Sequence, residues 1–209
     1  MARPVQEQNR HMSTVRLKEF SWERMIAAVD AVRERARRVA SALERAGIRY
    51  AVVGGNAVAA WVARVDAEAV RNTKDVDLLV RREDFERVVQ AAQDVGFVHE
   101  NVGGLDLFLD GPQGSVRSAI HVLFAREKVR PEYPLPTPDV TESEPGPEFV
   151  VAALDALVRM KLTSFRLKDK VHLLDLLDVG LIDEGWCDSL SPQLAQRLRG
   201  LIQSRDQET

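Results

Sequence analysis

Apolar spacing along the chain predicts an alternation of helices and strands. Between Ser21 and Ala46, the residues Ile26, Val29, Val32, Val39, Ala42 and Leu43 share one helical face, and Gly47 stops that helix. Ile48 to Val53 is a short run rich in branched residues. It reads as a buried strand that ends at Gly54-Gly55. A helix is expected over 56–65, with Val58, Trp61 and Val62 facing inward. A polar connection carrying Arg71, Asn72, Thr73 and Lys74 leads into a second buried strand, Val76 to Val80. Glu83 to Val95 is helical, with Phe85, Val88, Val89 and Ala92 as its apolar side. Phe97-Val98 starts a strand. Gly103-Gly104 followed by Leu105 to Leu109 predicts a hairpin, and Ser118 to Ala125 reads as a further strand. This order predicts an α+β fold: a small mixed sheet with helices on one side.

Residues 131–147 hold six of the nine prolines and read as a Pro-rich linker, or as a loop wrapped over the core. Beyond them the pattern is helical throughout. Helices are expected over Phe149 to Leu162, Lys168 to Val179 and Pro192 to Ile202. The expected organisation is a flexible tail at 1–20, a core at 21–130, the linker at 131–147 and a C-terminal helical subdomain at 148–209. At 45% hydrophobic and 29% charged residues the composition is globular, and a net charge of −3 argues against a general nucleic-acid coat. The single cysteine, Cys187, rules out an intrachain disulfide and suits a reducing, cytoplasmic setting. No apolar run is long enough to span a bilayer, so no membrane partner is expected.

The chemistry gathers at the first two strands. A glycine turn feeding a helix offers free backbone N–H groups and the positive end of a helix dipole, which suits phosphate. Asp75 and Asp77, two apart on a strand, would point to one face. They are flanked by Val76, Leu78, Leu79 and Val80, so their burial calls for a positive partner, and hard divalent cations take carboxylate oxygens. Each feature alone has a plainer reading. Double glycines also serve tight turns, and paired acids also lie at exposed edges bridged to Arg or Lys.

Together, Tyr50-Ala51-Val52-Val53-Gly54-Gly55-Asn56-Ala57-Val58-Ala59 and Arg71-Asn72-Thr73-Lys74-Asp75-Val76-Asp77-Leu78-Leu79-Val80 resemble the nucleotidyltransferase superfamily of the DNA polymerase beta type. Within it the chain looks most like small bacterial proteins related to abortive-infection nucleotidyltransferase toxins. The resemblance covers roughly residues 45–125. Leu157-Val158-Arg159-Met160-Lys161-Leu162-Thr163-Ser164-Phe165-Arg166-Leu167-Lys168-Asp169-Lys170 is similar to that group's helical part.

The resemblance implies transfer of a nucleoside monophosphate from an NTP to an acceptor: a small molecule, a protein or an RNA. Gly54, Gly55 and Asn56, with Thr73, Lys74, Lys161 and Lys168, would bind the nucleotide. Asp75 and Asp77 would bind Mg²⁺ or Mn²⁺. It also implies two other readings: a nucleotide-binding regulatory module that has lost catalysis, or a toxin paired with an antitoxin.

Such sites carry a third carboxylate on a neighbouring strand. The matching strand reads Ser118-Ala119-Ile120-His121-Val122-Leu123-Phe124, with histidine in the acid's place. Imidazole is a poor Mg²⁺ ligand, better for Mn²⁺ or Zn²⁺, but a competent general base, so His121 is counted with Asp75 and Asp77 as catalytic; the alternatives are a single-metal enzyme, a different metal or loss of activity. The plainer reading is a satisfied core histidine. Asp106 is a rival third acid on the preceding strand. In the C-terminal cluster, Lys161 and Lys168 would share a face if one helix were continuous, with Asp169 positioning Lys161 or His172. The alternative there is an ordinary solvated face.

Overall fold

The computed structural model describes residue 19 and residues 21–208. The tail expected at 1–20 lies outside the described residues, apart from Glu19. Six helices and seven strands follow in order: α1 (Trp22–Arg45), β1 (Tyr50–Val53), α2 (Gly54–Val62), β2 (Val76–Val80), α3 (Phe85–Gln93), β3 (Phe97–Val102), β4 (Leu105–Asp110), β5 (Ile120–Phe124), β6 (Ser143–Pro145), β7 (Val150–Ala152), α4 (Leu154–Ser164), α5 (Leu167–Asp178) and α6 (Pro192–Glu208). Short 3-10 turns lie between some of them.

The strands form one mixed sheet in the order β3-β4-β5-β2-β1-β7-β6. β1 runs antiparallel to β2 and parallel to β7, while β2 runs parallel to β5. The fold is α+β, as the apolar pattern predicts.

The helices cover both faces of the sheet, not one. Alternate residues of each central strand enter different clusters, because side chains alternate across a strand. Tyr50, Val52, Val76, Leu78 and Val80 pack with the α1 residues Val32, Ala36, Val39 and Leu43 and the α3 residues Val88 and Ala92. Ala51, Val53 and Leu79 pack with Ala57, Val58 and Val62 of α2 and with α4, α5 and α6 through Leu157, Leu162, Leu173, Leu176 and Leu198. A strand that apolar on both sides needs cover on both sides.

One further expectation changes. The helix expected from Phe149 begins only at Leu154, because Val150-Val151-Ala152 is β7, with Val151 registered beside Val52. Branched residues favour the extended slot between β1 and β6 over the first turn of a helix. Trp61 of α2 locks this addition by donating from Nε1 to the Ala152 carbonyl at 3.0 Å.

The proline-rich stretch is held against the core. Thr137, Asp139 and Val140 are buried. The Asp139 carboxylate accepts from Arg81 at 2.8 Å and pairs with Arg126 at 2.8 Å, and Arg81 together with Thr141 holds it well below the usual carboxylate range. The helices that follow share one apolar cluster with α2 and β1.

Candidate active site

β1 ends where α2 begins, and the two glycines are the first residues of that helix. No side chain of the N-cap, Val53, bonds the first turn, and that turn holds no acid of its own. Gly54 sits at φ +71°, and a Cβ placed there would fall 1.9 Å from Asp77 Oδ2. Only glycine therefore allows the carboxylate to lie against the turn. A Cβ on Gly55 would meet Thr73 Oγ1 at 2.9 Å, so Thr73 closes the other side. Asn56 donates from Nδ2 to the Asp75 carbonyl at 2.7 Å and ties the α2 terminus to the chain entering β2. The strand begins at Val76, so Asp75 lies just before β2 while Asp77 lies within it.

Register brings the next strand in. Val53 pairs with Asp77, Asp77 with His121, and His121 with Leu107 across β1, β2, β5 and β4. His121 Nδ1 lies 3.3 Å from Asp77 Oδ1. That hydrogen bond raises the imidazole pKa. Burial opposes the rise, the charges of Asp77 and Asp75 add to it, and Lys168 opposes it. Asp106 belongs elsewhere. It is one residue from Leu107 and so on the opposite face, where it bonds His99 Nε2 at 2.9 Å and Asn101 Nδ2 at 3.0 Å. His99, given no role from the sequence, is the partner of that acid.

The C-terminal helices complete the site from the same face as Asp77. One continuous helix is not formed: the chain breaks at Phe165, in the left-handed region at φ 47°, between α4 and α5. Lys161 and Lys168 therefore sit on different helices. Lys161 is only 5% exposed, and its Nζ lies 3.3 Å from Asp169 Oδ1. Burial pushes the ammonium pKa down against the pull of Asp169 and of Asp77, whose charge reaches it. Lys168 and Lys74 are exposed.

Asp169 is the hub of the break. Its other oxygen accepts from Ser164 Oγ at 2.8 Å, Arg166 Nε at 2.8 Å and the Arg166 backbone N–H at 3.2 Å. Burial works against this carboxylate, yet Arg166, Lys161 and Ser164 hold it below the usual range. Of the two partners offered by the sequence, Asp169 bonds Lys161. His172 Nδ1 is buried without a partner, and burial, with Lys161 adding, pushes its pKa down to about 4.

Sequence reasoning gave no role to Ser164, Arg166 or Arg71. The signal for the first two is an acid three residues into a helix, which caps back onto Arg166. Arg71 bonds both oxygens of Asp175 on α5, at 3.0 and 3.1 Å, and so anchors the loop before Asp75 to that helix. No local signal marks this pair, which is 104 residues apart.

A family model described as an uncharacterised nucleotidyltransferase matches residues 15–133, more than half of the chain. The chain belongs to that family. No curated protein matches it. Among solved structures, JHP933 from Helicobacter pylori is similar at TM-score 0.51 and 12% identity, over 90% of this chain and 78% of that one, which is a likeness of fold. The antibiotic-resistance factor ANT(2'')-Ia aligns at TM-score 0.49 and 16% identity, over 86% of this chain and 95% of that one.

In this nucleotidyltransferase family member the Asp77 carboxylate stands at the glycine turn with His121 bonded to it, and Asp75 lies just ahead of the strand. Among the described residues, no group of three or more His, Cys, Asp or Glu side chains is placed to hold a metal ion. Two carboxylates without a protein cage suit Mg²⁺, which keeps waters and takes phosphate oxygens, and do not suit a closed structural zinc site. No helix of the described residues is long and apolar enough to cross a membrane.

Proposed function

We propose that this protein transfers a nucleoside monophosphate from an NTP to a hydroxyl-bearing acceptor. One observation carries the reading: the Asp77 carboxylate packs directly on the Gly54 turn at the start of α2. A phosphate cradle and a carboxylate in contact is the arrangement that an Mg²⁺–triphosphate complex requires.

In this reading, the Gly54, Gly55 and Asn56 backbone N–H groups receive the triphosphate. Thr73 walls the turn, and Lys161, with the exposed Lys168 and Lys74, offsets phosphate charge. Asp75 and Asp77 would hold Mg²⁺ or Mn²⁺, which when bound neutralises the charge developing on the phosphates. His121 is oriented by Asp77 through Nδ1, which leaves Nε2 to accept a proton. The acceptor oxygen then bonds to the α-phosphorus as the bond to the pyrophosphate oxygen breaks. The acceptor's proton passes to His121 Nε2 and pyrophosphate departs.

Calorimetry with each of the four NTPs and Mg²⁺ tests the binding half. Micromolar binding of at least one NTP is expected, and Asp75→Ala plus Asp77→Ala should abolish it. Equal binding by that double variant would sink the reading. Label transfer from an α-labelled NTP to components of a cell extract tests the catalytic half. A second reading, a nucleotide-binding module without turnover, is favoured by the histidine in the acid's place. It is excluded by any label transfer that depends on His121 and Asp77.

A further inference from the structure

We infer that the site takes one divalent cation per bound nucleotide, and that His121 is what excludes a second. The inference rests on the nucleotidyl-transfer reading above and concerns what this chain's own residues allow.

The donor row decides it. At the level of Asp77 the four adjacent strands present Val53, Asp77, His121 and Leu107, so the row carries a single carboxylate. Asp75, one residue ahead of β2, supplies the other. A second hard cation needs anionic oxygens of its own, and neither flanking strand offers one. β4 cannot lend Asp106, which lies on the other face and is engaged by His99 and Asn101. His121 is a poor substitute, because its Nδ1 is turned onto Asp77 and the remaining Nε2 is a neutral nitrogen, which a hard cation takes less readily than an anionic oxygen.

Positive charge is supplied instead by the protein. Lys161 is buried beside Asp169, and the charge of Asp77 reaches both its ammonium and the Arg166 guanidinium. An ammonium fixed by a buried carboxylate contributes one charge and asks for no ligand shell. A second divalent ion next to it would meet the like charge of a nearly buried ammonium.

Mn²⁺ is the stringent probe, since it accepts imidazole nitrogen more readily than Mg²⁺ does. The intact chain is saturated with a non-hydrolysable analogue of whichever NTP binds, and Mn²⁺ is titrated while the free ion is read by electron paramagnetic resonance. One ion per chain is expected. His121→Asp, with unchanged thermal unfolding, should bind two, with the line broadening of coupled Mn²⁺ ions. Two ions in the wild-type chain would overturn the inference. One ion in both proteins would overturn the assignment to His121. No ion in either would overturn the metal-dependent reading beneath it, and the inference with it.

Discussion

Replacing Gly54 by alanine tests whether the glycine turn and Asp77 form one unit, and the chain contains its own control. Gly47 has nearly the same backbone, φ +63° against +71° at Gly54, but a Cβ on Gly47 meets nothing within 4 Å. Both substitutions force an L-residue into the left-handed region, at about 1 kcal/mol. Only the change at Gly54 also drives a methyl to 1.9 Å from Asp77 Oδ2 and 2.8 Å from its Cγ. An ordinary contact begins at 3.4 Å, so the carboxylate must retreat by about 1.5 Å. Its bond to His121 is already at 3.3 Å and has no slack. Overpacking of this kind adds about 1–3 kcal/mol.

Urea unfolding should therefore place Gly47→Ala about 1 kcal/mol below the wild-type chain, and Gly54→Ala about 2–4 kcal/mol below it. Calorimetry should show wild-type NTP affinity for Gly47→Ala and a loss of tenfold or more for Gly54→Ala. If the two variants unfold alike and bind alike, Asp77 is not held against the turn and the site as described is refuted.

Other predictions follow from single contacts. His172 has a folded pKa of about 4 against an ordinary 6.5, so the unfolded chain binds the extra proton between those values, and stability is lost as pH falls through that window. Between about pH 7 and pH 5 the wild-type chain should lose about 1–2 kcal/mol more than His172→Gln, discounted for partial solvent access. Parallel losses in urea titrations of the two proteins would show that His172 is not desolvated. Lys161→Met leaves Asp169 satisfied by Ser164 and Arg166 and should fold, yet raise the NTP Kd about tenfold or more through the loss of one charge-assisted contact. Unchanged Kd in calorimetry would remove Lys161 from the nucleotide site. Asp106→Asn should leave NTP binding and label transfer unaltered, because this acid faces away from Asp77. A loss comparable to that of Asp77→Ala would restore it as the third acid.

Much of this architecture is written locally. The branched runs at 50–53 and 76–80, and the glycines between a strand and a helix, are short-range patterns that force their own backbone. Periodicity also found α1, α3, α5 and the β3–β4 hairpin, each within a few residues.

Other features depended on partners distant in the chain. β7 is three residues long and runs almost directly into α4, so no period distinguishes it from a first helical turn. Only the open edge of β1 makes it a strand. The break between α4 and α5 falls at Phe165, with no glycine or proline to announce it, and is held by the Asp169 hub. The choice between His121 and Asp106 turned on register. A one-residue offset along β4 sends a side chain to the other face of the sheet, and sequence fixes that parity only through pairings between strands. The sequence by itself thus determined the components of the candidate site: a glycine turn, two aspartates, a histidine and a lysine. Tertiary structure decided which of them face one another, because strand register and helix docking are contacts between segments distant in the chain, as with Asp77 and His121 at a separation of 44.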